Sequence, residues 1–241
     1  MIKVSTELFQ LKVLVNNKPI QEYHKDGNTF VEGRKGSPFS LEMRNLIGRR
    51  ILVHPAIDGL SAMDGKEASS SDARGYVLDP HCTYDIPGWR LTDDVVAQFY
   101  FAGEGESYAE KTGKGLEKGI IACAVWEERS FVRRDSMSPD TTITYSGGEK
   151  CIGNLEYECF YNSTQNLGAG FGKQLTHSVQ TTTFTPSTKD PTAIVSIFYD
   201  DIAGLKARGI NIKNKKKVSP RLPNPFPKDK KGCTPPEGWQ G

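Results

Sequence analysis

Apolar and polar residues alternate in short runs along most of the chain, and Gly, Pro, Asn and Asp punctuate the runs. Residues 7–15 place Leu8, Phe9, Leu11, Val13 and Val15 among polar neighbours. Asn16-Asn17 then supplies a turn, and 20–24 returns before a second turn at Asp26-Gly27. After the Gly-rich stretch 31–38, Phe39 to Asn45 alternates strictly, the pattern of a strand with one buried and one wet face. Its expected partner is 50–57, across Ile47-Gly48. Further runs at 75–78, 83–86, 95–101, 119–126, 180–184 and 193–199 are rich in β-branched and aromatic residues, which favour a pleated, half-buried surface.

About ten short strands with little helix predict a mainly β fold, an antiparallel β-sandwich or jelly-roll-like arrangement. Two short helices are expected. One is a turn or two over 92–97, capped by Thr92. The other spans 201–208, opening on an acid and closing on Lys206, Arg208 and Gly209. The region 129–173 mixes Arg133-Arg134-Asp135-Ser136 with Gly147-Gly148 and Gly168-Ala169-Gly170-Phe171-Gly172, and reads as an irregular, exposed excursion. The expected organisation is therefore a sandwich domain over 1–209 and an extended Pro/Lys-rich C-terminal tail over 210–241.

Composition refines this picture in two places. The 24 Gly and 14 Pro suit a turn-rich fold, and the net charge of +2 hides an asymmetry. From Lys206 onward ten Lys or Arg face two acids, a balance of +8, so the rest of the chain carries −6. Residues 213–241 hold Lys215-Lys216-Lys217 and six prolines and lack periodicity, so this stretch is expected to be extended or polyproline-like. Lys215, Lys216, Lys217, Arg221, Pro223, Pro225 and Trp239 are the candidate partner-binding residues. They would meet neighbouring assembly subunits, as in a homo-oligomer, or nucleic acid through the basic run; a solvated tail that aids solubility is the plainer alternative.

The start reaches Glu7 before any long apolar run, and no stretch approaches the ~18 apolar residues of a membrane span. The expectation is a soluble protein not exported by a signal peptide, with no membrane partner, located in the cytoplasm or in a virion. The five cysteines (Cys82, Cys123, Cys151, Cys159, Cys233) show neither zinc-site spacing nor disulfide-scaffold density and read mostly as small buried hydrophobes.

No catalytic, cofactor-binding or metal residues are assigned. The Gly168–Gln174 run departs from a phosphate loop, with Leu167 and Gln174 where Gly and Ser or Thr are needed, and reads as a flexible loop or a turn with positive φ. His24, His54, His81 and His177 lack paired metal-ligand spacing. Asp58-Gly59 and Asp64-Gly65 lack the later acids of an EF-hand and read as tight turns. Arg49-Arg50, at a strand start, reads as a solvated edge pair in preference to a phosphate contact. There is no Gly-x-Ser-x-Gly elbow, so the chain is read as a non-enzyme.

Val31-Glu32-Gly33-Arg34-Lys35-Gly36, Gly48-Arg49-Arg50-Ile51-Leu52-Val53 with Asp58-Gly59-Leu60 and Asp64-Gly65-Lys66, Gly75-Tyr76-Val77-Leu78-Asp79-Pro80 with Ile86-Pro87-Gly88-Trp89-Arg90, and the end Gly232-Cys233-Thr234-Pro235-Pro236-Glu237-Gly238-Trp239 together form a pattern. It resembles an uncharacterised family of bacterial and phage proteins. The resemblance implies no activity or site residues, and it implies a bacterial or a phage origin, with a virion as the setting in the second case. The functional expectation is a structural or accessory protein of a virion or other assembly, making contacts through its β body and basic tail. The alternative is a carbohydrate- or ligand-binding β module using an exposed Trp or Tyr on a sheet face, or the segment around Phe171.

Overall fold

The computed structural model describes residues 8–69, 74–113, 117–129 and 165–212. They form two seven-stranded sheets packed face to face, with two short helices. The first sheet holds β1 (Phe9–Val15), β2 (Lys18–Pro19), β5 (Pro38–Asn45), β9 (Thr83–Ile86), β10 (Gly88–Arg90), β11 (Val95–Gly103) and β13 (Leu167–Thr176). Its order is β10-β11-β5-β1-β2, with β9 paired to β5 and β13 to β11. The second holds β3 (Glu22–Lys25), β4 (Asn28–Glu32), β6 (Ile51–Ile57), β7 (Leu60–Ser61), β8 (Tyr76–Leu78), β12 (Ile120–Glu127) and β14 (Ala193–Asp200), in the order β3-β4-β14-β12-β6-β7 with β8 on β6. Every pairing is antiparallel except β14 with β4, which run parallel. The mainly β sandwich expected from the alternation is what the chain forms.

Three two-residue hairpins follow from local chemistry. Asn16-Asn17, Asp26-Gly27 and Asp58-Gly59 all take positive φ at both positions, the geometry whose twist matches flanking strands and that Asn, Asp and Gly tolerate. The alternation then decides the faces. Phe9, Leu11 and Val13, Phe39, Leu41 and Met43, and Phe99 and Phe101 point inward from the first sheet. Ile51, Val53, Ile121, Cys123, Val125, Val195, Ile197 and Tyr199 meet them from the second. Phe39 stacks on Phe101 with ring centroids 4.4 Å apart, and Phe101 lies 5.4 Å from Tyr199, so an aromatic column crosses between the sheets.

A smaller apolar cluster sits on the outer face of the second sheet. Leu52, Ala124 and Trp126 are covered there by Phe184, with the Trp126 indole N–H donating to the Lys189 carbonyl at 3.3 Å. Residues 180–184, expected as a strand, form no ladder. The segment is anchored instead by its packing and by a few bonds to the end of β12, among them Arg129 N–H to Thr185 O at 2.8 Å.

Three further expectations change, the first being that β5 does not pair with 50–57: it pairs with β1, β9 and β11, while β6 lies in the second sheet. Residues 92–97 are not helical: Leu91 and Thr92 N–H donate to the Val95 carbonyl in a tight bend, and β11 begins at Val95. The first helix is α1 (Tyr108–Thr112), set by a capping box in which Ser107 and Glu110 bond each other's backbone N–H, and closed by Gly113 at φ 64°. The second, α2 (Ile202–Ala207), lies within the expected range and is capped by Asp201. The expected loop at 168–174 is strand β13, and none of its glycines has positive φ. A Cβ on Gly170 would sit 2.1 Å from the Tyr100 ring, and one on Gly168 2.5 Å from Ser107 Cβ, so close approach is what requires glycine here. No helix among the described residues is long and apolar enough to cross a membrane.

Candidate functional site

Buried polar side chains join the two sheets. Asp58, in the β6–β7 turn, is 1% exposed. Its Oδ1 accepts from Gly119 N–H at 2.9 Å and its Oδ2 from Ala169 N–H at 2.6 Å. The Tyr199 hydroxyl lies 2.7 and 2.8 Å from the two oxygens. One carboxylate thus ties β13 of the first sheet to the start of β12 and to β14 of the second. Burial pushes its pKa up to about 6, against the pull of the Ala169, Tyr199 and Gly119 donors. Burial likewise raises the Tyr199 phenol well above its ordinary value, and the facing Asp58 carboxylate adds to the rise. The turn expected at Asp58-Gly59 is present, but the side-chain role is one the sequence reading missed. Its partners stand 61, 111 and 141 positions away, and no spacing signals them.

A second acid, Asp200, is also 1% exposed. Its Oδ1 accepts from Asp201 and Asn166 N–H at 2.8 and 3.2 Å. Its Oδ2 has no hydrogen bond, and the nearest cationic atom is Arg208 Nε at 3.8 Å. Burial raises this carboxyl too. Gln165 completes the junction by donating to Tyr199 O at 2.8 Å and accepting from Arg208 at 2.7 Å.

At the far side of the first sheet, Arg90 on β10 donates to the His177 carbonyl and to His177 Nδ1, both at 2.6 Å, and to the Tyr76 hydroxyl at 2.9 Å. A guanidinium only donates, so this Nδ1 accepts and the imidazole is neutral. Burial and then the Arg90 charge hold the His177 pKa below its ordinary value, against the Asp85 carbonyl and side-chain charge. Asn45, fully buried, donates to the Arg49 and Asp79 carbonyls at 2.9 Å and accepts from Ile47 N–H at 3.1 Å.

These groups chiefly hold backbone; Asp200 Oδ2 and His54 Nε2 are the buried side-chain atoms without a hydrogen bond among the described residues. Among the described residues no group of three or more His, Cys, Asp or Glu is placed to hold a metal ion. His54 Nδ1–H donates to the Arg74 carbonyl at 2.6 Å, and His24 pairs with Thr29 at 3.2 Å. Cys82 is exposed and Cys123 buried, both as free thiols; burial pushes Cys123 up to about 12. Arg49 stays exposed, as expected, with Glu127 at the end of β12 3.1 Å away; Arg50 is half-buried, forks onto Glu128 just beyond β12 and also donates to Thr183 O at 3.1 Å. The cross-strand register that brings those glutamates opposite could not be read from Arg49-Arg50 alone.

A large open cleft, of about 1030 Å³, lies where the ends of β4 and β11, the start of β13 and α2 converge. Leu167 and Ile202 give it apolar surface, and Ile202 is 42% exposed. Arg34, Lys35 and Lys206 line it together with Glu32, Glu104 and Asp201. The expected partner-binding residues Lys215, Lys216, Lys217, Arg221, Pro223, Pro225 and Trp239 lie outside the described residues, as do Cys151, Cys159 and Cys233. Compared with protein-family models, with curated proteins and with solved structures, the chain matches none.

Proposed function

We propose that this chain is a non-enzymatic structural or accessory protein of a virion or other assembly, making subunit contacts through its β body and its basic C-terminal segment. The observation that carries the reading is the cleft beside α2. It is open and not enclosing, joins an exposed isoleucine to a rim of mixed charge, and its last lining residue, Lys206, stands seven positions before Lys213, where the basic stretch begins. Apolar contact framed by paired charges is the anatomy of a protein interface, in which complementary charge sets register and orientation more than raw affinity. The buried acids support the same reading, because Asp58 with both oxygens and Asp200 with its Oδ1 hold the sheets and the start of α2 together. The likeness of the sequence motifs to bacterial and phage proteins favours a virion as the setting.

Light scattering on the full chain and on a chain ending at Lys213, at low and moderate salt, tests this. An oligomer that dissociates on truncation, and that Ile202→Lys also weakens, is expected. A full chain that stays monomeric under both conditions and at high protein concentration overturns the reading.

A further inference from the structure

Tyr100 projects from the opposite face of β11 to Phe99 and Phe101, which are fully buried in the core. It pairs directly with Gly170 on one side and with Pro38 on the other. A Cβ built on Gly170 would lie 2.1, 2.3 and 2.6 Å from Cζ, Cε1 and Cε2, so the ring lies flat across the glycine and not upright beside it. Next along the strand, Gln98 stands opposite Gly88, and a Cβ on Gly172 would come within 2.7 Å of the Gln98 carbonyl. Glycines therefore clear the sheet on both sides of Gln98 and beneath Tyr100. An aromatic ring covering a cross-strand glycine supports the sheet by itself, and in that role Tyr100 is half-buried and keeps part of its surface exposed.

The chemistry around this ring selects among ligands. Ser40, Glu42, Arg44, Gln10, Lys12 and Asp85 belong to the same sheet face, where two cations stand against two acids and Lys12 lies 3.9 Å from Glu42. That leaves no excess of cations to hold a phosphate backbone. A flat ring with a carboxamide beside it, on a polar and nearly neutral face, fits a ligand with one apolar face and a rim of hydroxyls. We propose that Tyr100 and Gln98 form a stacking site for a neutral carbohydrate chain, with Tyr100 under a sugar ring and Gln98 bonding its hydroxyls.

The test is a neutral-glycan array on the full chain, followed by calorimetric titration with cellohexaose, xylohexaose and chitohexaose. Binding to at least one of these probes is expected. Tyr100→Ala should weaken it tenfold or more, and Tyr100→Phe, which keeps the ring, should stay within threefold. Gln98→Ala should weaken it at least threefold without disturbing the ring on Gly170, and so decides the matter if Tyr100→Ala does not fold. No response on the array, or binding that both Tyr100→Ala and Gln98→Ala leave unchanged, overturns the proposal.

Discussion

The Tyr199 hydroxyl lies within 2.8 Å of both oxygens of Asp58, a contact that spans 141 positions of the chain. It closes the sandwich at a point where two backbone N–H groups, from Gly119 and Ala169, would otherwise be buried without acceptors. Asp58→Asn should therefore be costly, since an amide nitrogen would face one of those donors. A loss of about 2–4 kcal/mol in urea unfolding is expected, against about 1–2 for Tyr199→Phe.

The same carboxyl predicts a pH dependence. Its pKa is about 6 in the fold and near 3.8 when exposed, so the folded state takes up the proton more readily. The contribution to stability is fully present below the unfolded value and is lost as pH rises through 6. Between pH 7 and 4 this one group should add up to roughly 3 kcal/mol to the unfolding free energy. The difference between wild type and Asp58→Asn, followed across that window, isolates it; a constant difference would contradict the assignment.

His177 works in the opposite direction. Its pKa is lowered in the fold, so its contribution is present at neutral pH and is lost as pH falls through the folded value. Arg90, Asp85, Tyr76 and Tyr84 are the groups that face it. Protonation should break the Arg90 contact and loosen the segment beyond Thr176. The imidazole Cε1 proton should titrate below the usual histidine range by NMR, and His177→Gln should flatten the acid-side loss of protection in amide exchange around Val179.

Gly204 sits inside α2, where alanine ordinarily gains about 1 kcal/mol over glycine. Here a Cβ would lie 2.1 Å from Asp200 Oδ2. Gly204→Ala should destabilise, by about 1–3 kcal/mol on the scale of overpacked cores. The double variant with Asp200→Ser should recover part of that loss in thermal melts, as expected for two groups in direct contact.

Asn45→Leu would leave the Arg49 and Asp79 carbonyls and the Ile47 N–H without their side-chain partner. A loss of about 2–4 kcal/mol is expected from those unsatisfied groups, measured by chemical unfolding.

Local signals carried much of this fold. Asn16-Asn17, Asp26-Gly27 and Asp58-Gly59 announce their hairpins because both turn residues must accept positive φ, and strict alternation over Phe39 to Asn45 announces its faces. Strand β13 escaped because Gly168, Gly170 and Gly172 have low strand preference, and their reason lies in Ser107, Tyr100 and Gln98 on other elements. Helix α1 was legible in principle: Ser107, Glu110 and Gly113 spell a capping box and a left-handed stop. The Asp58 junction was not, because its partners are brought together only by topology.

That topology also orders events in time. β14 lies between β4 and β12, so the hairpin of β3 and β4 finds its neighbour only when residues 193–200 arrive. During synthesis from the N-terminus, β4 and β12 must wait with open edges, each able to recruit a strand from another nascent chain. A product ending before Ala193 would keep both edges for good. The cell would meet it as a seed for aggregation, where the finished chain has both of these edges paired with β14.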